Sequence, residues 1–116
     1  MENFELLTLD EILAKLKSWV EQRQVIDAKR WVAAAQSMAT LLFDEYDKLA
    51  DLQQQVAQLK NMAWDSQDKK NVSAVRMMVE ASDEYTAMNK QRNKIKNVEE
   101  MIRIAKLQGK LREFGG

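Results

Sequence analysis

The chain has no cysteine, no proline and no histidine, and its only glycines are Gly109, Gly115 and Gly116. Average usage would put roughly 14 glycines and prolines in a chain of this length. Residues 1–108 contain neither helix breaker. That argues against β-rich folds, whose tight turns draw on Gly, Pro and Asn-Gly. It also excludes the glycine-rich loops that let backbone approach a phosphate. Without Cys there is no disulfide framework and no thiolate metal site. Without His, the usual general base and the commonest metal ligand are both missing.

Long hydrophobic runs are missing too. The longest uncharged, apolar-rich stretch runs from Trp31 to Phe43 and is too short to cross a bilayer. The acidic N-terminus MENFELLTLDE does not read as a secretory or transit peptide, so the expected location is cytoplasmic, in the host cytoplasm if the source is viral. Neither sign of charge dominates. The 18 basic and 18 acidic side chains cancel, which leaves no whole-molecule field for nucleic acid or anionic lipid. No membrane partner and no cofactor are expected.

What remains is a helix-forming chain. Hydrophobic residues make up 46% and charged residues 31%, too apolar for disorder, and the length fits a single domain over 1–116. TLDE at 8–11 is a capping box, with Thr8 at the cap and Glu11 reaching back. Leu9, Ile12, Leu16 and Trp19 then mark one face of a helix over 9–23. Asp27 is the expected cap of a second helix over 28–64. There Trp31, Ala35, Met38, Leu42, Glu45, Leu49, Leu52, Val56, Leu59 and Ala63 alternate spacings of four and three, a heptad repeat broken only at Glu45. Its apolar face is wide up to Tyr46 and narrows to a seam beyond, as suits a bundle followed by a two-helix arm. WDSQDKKN at 64–71 is a polar break, and Asp65, Ser66 and Asp68 are its candidate caps. A third helix over 69–113 follows, ended by Gly109 and a frayed tail at 114–116. The expected fold is all-α: a short N-terminal helix packed on a long antiparallel, coiled-coil-like helical hairpin.

No constellation of side chains names a reaction. A di-iron site on helices needs Glu-x-x-His pairs, and the chain has no His. Paired carboxylates for glycoside chemistry need a cleft, which a hairpin does not offer, and no Ser or Thr has an activating base. The expected protein is therefore not an enzyme. It is an interaction protein that self-associates and presents coiled-coil faces to an unidentified protein partner. Trp19, Trp31, Leu41, Leu42, Phe43 and Tyr46 are the expected oligomer contact, since apolar patches left uncovered mark interfaces. Trp64 beside the turn is a candidate partner anchor, though an indole there more often folds back onto Val72 or Val75. Glu45, a charge in the seam, calls for a basic partner such as Arg92 or Lys94 on the third helix.

The charges are unevenly spread. Residues 1–65 carry 7 basic and 11 acidic side chains, and residues 66–116 carry 11 and 7. Lys90, Arg92, Lys94, Lys96 and Arg103 suggest a strip that contacts phosphates, although such helix faces are more often simply solvated. The segment RNKIKNVEEMIRIAKLQG at 92–109 resembles the C-terminal helix of phage recombination mediator proteins of the UvsY type. That resemblance implies a ring-like homo-oligomer that binds single-stranded DNA, with Arg92, Lys94, Lys96 and Arg103 facing it. Trp64-Asp65-Ser66 stands near the place of that family's aromatic-Gly element, without the glycine. A nucleic-acid-binding accessory protein is thus the alternative function, and a small helical chaperone or adaptor is a further one.

Overall fold

The protein is described by a computed structural model over residues 3–114. A short 3-10 turn at Phe4–Leu6 precedes four helices: α1 (Leu9–Glu21), α2 (Ala28–Asp65), α3 (Val72–Glu80) and α4 (Asp83–Phe114). No described residue lies in a strand. Two compact units form, one from residues 1–44 with 96–116 and the other from residues 45–95.

The first unit takes α1, the start of α2 and the end of α4. The capping box at its entrance forms: the Glu11 amide donates to Thr8 Oγ1 at 3.2 Å, and the Thr8 amide donates to Glu11 Oε1 at 3.1 Å. The bond from the Thr8 backbone holds the Glu11 carboxyl below its ordinary range. α1 ends two residues earlier than expected. The Arg23 amide donates to the Val20 carbonyl and the Gln24 amide to the Trp19 carbonyl, the paired bonds of a Schellman ending. Arg23 sits there at φ 51°, a left-handed position usually given to glycine, so no glycine marked this helix end in the sequence. Asp27 caps α2 as expected, with its Oδ1 accepting from the Arg30 amide at 2.9 Å. The core is aromatic. Trp19 meets Phe4 and Trp31 edge to face, with ring centroids 6.0 and 5.0 Å away. Ile12, Leu16, Met38 and Val98 are fully buried in the same unit.

The second unit is an antiparallel pairing of α2 with α3 and then α4. Near the turn, Ala63 packs with Val75 and Val79, and Val56 and Tyr85 join the edge of that cluster. Farther from the turn, Gln91 reaches the backbone and side chain of Glu45. Asn71 is the α3 cap, accepting from the Ala74 amide at 3.2 Å, whereas Asp65, Ser66 and Asp68 were the candidates.

Two expectations are corrected. The single third helix is two helices, because Ser82 interrupts it. Its hydroxyl donates to the Val79 carbonyl and accepts from the Tyr85 amide, which closes α3 and opens α4. Gly109 does not end the chain's order, since α4 continues to Phe114. Of the tail expected at 114–116, residues 115–116 lie outside the described residues. Gly109 serves a close approach instead. A Cβ placed there would lie 3.1 Å from Val32 Cγ2 and 3.9 Å from Trp31 Cβ.

Candidate interaction surfaces

Glu45 is the one buried charged residue among those described, at 4% exposure. Its seam position points it at α4, where Gln91 Nε2 donates to Oε2 at 2.7 Å and to its backbone carbonyl at 2.8 Å. Lys94 and Lys48 each stand 3.4 Å from Oε1. Burial alone would push the carboxyl up. The Gln91 amide and the two ammonium groups outweigh it and hold the group below its ordinary range. Of the two partners read from the sequence, Lys94 is present and Arg92 is exposed. Gln91 was missed, because a neutral amide near a seam carries no charge signal. This cluster keeps an anion satisfied and offers no reactive group.

The expected oligomer contact is only partly on the surface. Trp19, Trp31 and Leu42 are buried in the core of the first unit and present no face to a second chain. The wide apolar face that suggested them is largely covered by α1 and α4. Leu41 is half-buried and borders an open depression with Phe4 and Thr40. Phe43 is 71% exposed, and Tyr46, in the second unit, is 44% exposed.

Trp64 is 37% exposed. It borders a groove of about 460 Å³ with Val56, Val72, Val75 and Tyr85. Lys70 fastens it: the ammonium donates to the Trp64 carbonyl at 2.7 Å and stands 5.7 Å from the ring centre. The indole thus lies along the hairpin end, close to both Val72 and Val75.

The basic candidates are not equivalent. Lys94 is tied to Glu45, and Arg103 is held by Glu100, with Nε 3.1 Å from Oε2. The Arg103 hydrogen bond lowers the Glu100 pKa, and Glu100 raises that of Arg103. Lys90, Arg92 and Lys96 are exposed.

One surface was not read from the sequence. In the first unit a groove of about 430 Å³ has Val32, Leu107 and Gly109 as its floor and Arg103, Lys106 and Lys110 as its rim. Periodicity could not reveal it, because its floor depends on Gly109 letting α4 approach Val32. Among the described residues no group of Asp and Glu is placed to hold a metal ion. No described helix is long and apolar enough to cross a membrane. No family model, curated protein or solved structure matches this chain.

Proposed function

We propose that this protein is a non-catalytic helical interaction protein that self-associates and presents helix faces to a partner. Phe43 carries the reading. A phenylalanine left 71% exposed in the middle of a long helix gains nothing in the isolated chain. It is the most exposed aromatic side chain among those described, and aromatic side chains are enriched at interfaces. The lack of His and Cys in the sequence supports a binding role over a catalytic one. Sedimentation across a concentration series tests it. The weight-average mass is expected to rise above the 13.5 kDa of one chain. A monomer at high micromolar concentration overturns the proposal.

The alternative, a single-strand binder of the phage mediator type, draws support from exposed Lys90, Arg92 and Lys96. The ion pairs of Lys94 and Arg103 weaken it, since contact with phosphate must compete with Glu45 and Glu100. A salt series with labelled oligonucleotide separates the two. Several phosphate contacts produce a steep loss of affinity with salt. Binding that is flat in salt and unchanged by Lys90→Ala with Arg92→Ala eliminates the alternative.

A further inference from the structure

We infer that self-association is head-to-tail: Phe43 of one copy seats in the basic-rimmed groove of the next. The inference rests on the self-association proposed above and names the two surfaces. The groove belongs to the first unit. Val32 on α2 and Leu107 on α4 form its apolar walls, and buried Gly109 lets α4 come close to Val32 there. Both walls are partly solvent-exposed, Val32 at 42% and Leu107 at 47%. Lys106 and Lys110 flank this apolar strip beside Arg103, which is paired with Glu100. Such a site suits an apolar group flanked by carboxylates, because burying the apolar group removes water from around the ion pairs.

The chain carries a group of that kind. Phe43 is the most exposed aromatic side chain described, and it is followed directly by Asp44, also exposed. The phenyl ring matches the apolar lining, and the Asp44 carboxylate matches Lys106 and Lys110. The two surfaces are different patches of one chain, so a contact between copies that does not close on itself is heterologous and can repeat. Wild type is then expected to grow beyond a pair, whereas a two-fold dimer with each ring in the other's groove would stop at two chains.

Two variants and their mixture test this. Phe43→Ser removes the inserted ring and leaves the groove. Lys106→Glu with Lys110→Glu reverses the rim and leaves the ring. Each variant alone is expected to sediment near 13.5 kDa. An equimolar mixture is expected to form pairs and nothing larger, since each pair uses one intact ring and one intact groove and then has none left. If wild type associates but both variants associate equally well, or the mixture stays monomeric, the head-to-tail contact is wrong while self-association stands. If wild type is monomeric, both proposals fall. Helicity by circular dichroism checks that each variant is folded, and Lys106→Gln with Lys110→Gln replaces the reversal if that variant loses helix.

Discussion

The unit built from residues 1–44 and 96–116 buries two tryptophans, a phenylalanine and a set of long aliphatic side chains. The unit built from residues 45–95 buries mainly alanine, valine, Met88 and Ile95, together with one carboxylate. Burying a large apolar side chain stabilises by roughly 1.5–3 kcal/mol, and edge-to-face aromatic pairs add about 0.5–1.5 kcal/mol. The first unit therefore rests on apolar area. The second has less area and instead contains a polar tie that only one alignment satisfies. Sliding α4 along α2 by one turn would separate Gln91 and Lys94 from Glu45 and leave the buried carboxylate with Lys48 of its own helix alone. The apolar contacts of this seam can repeat along the helix pair, whereas the bonds to Glu45 fit one register. One chain thus uses packing where helices crowd and a satisfied charge where only a pair meets.

The sharpest way to break this contrast is Trp31→Ala. Trp31 is 2% exposed, and truncating a buried tryptophan costs about 3–5 kcal/mol. Hydrogen exchange is expected to speed up in α1 and the first turns of α2 far more than in α3. Equal acceleration in α3 would show that the second unit has no stability of its own. Trp31→Phe is expected to be milder than the truncation suggests, because the indole N–H is buried without a partner and its removal costs nothing polar.

Next comes Glu45. Glu45→Ala leaves the half-buried Gln91 and Lys94 without their shared acceptor, at a cost of about 1–2 kcal/mol. Its pH behaviour has a definite sign. The folded carboxyl titrates below the unfolded one, which lies near 4.3. Its contribution is therefore complete above that value and is lost as pH falls through the lower folded value. Urea midpoints measured from neutral to acid pH should fall less steeply in Glu45→Gln than in wild type. An unchanged acid slope would remove Glu45 from the account.

The smallest effects come from a device the two units share. Thr8 opens α1 and Ser82 opens α4, each accepting an orphan amide. Thr8→Ala and Ser82→Ala are each expected to cost about 1 kcal/mol in thermal or urea unfolding. A markedly larger loss at Ser82 would mean that the break between α3 and α4 also positions the Val75–Val79 cluster.

Much of the fold was legible because helix signals are local. The Thr8 box, the Asp27 cap, the heptad and the polar break at 64–71 can be read without knowing what packs where. The α1 ending was misread because Arg23 does a job usually signalled by glycine. The break at Ser82 lay hidden inside the expected helix over 69–113, since a serine on a helix face looks the same in sequence whichever way its hydroxyl bonds. Of the candidate surfaces, exposed Phe43 and the Glu45–Lys94 pair were within reach of spacing and charge. Trp19, Trp31 and Leu42 were not separable from Phe43, because periodicity gives a face and says nothing of how many neighbours cover it.

The scarcity of glycine and the lack of proline, together with the helical spacing of apolar residues and the caps, determined by sequence an all-helical protein whose surfaces are helix faces. Tertiary structure decided which faces stay open. α1 and the end of α4 bury the tryptophans of the wide face, while Phe43 stays exposed. Gly109 looked like a terminator, yet it acts as a gap between helices: whether a missing side chain ends a helix or admits a neighbour depends on what lies opposite it.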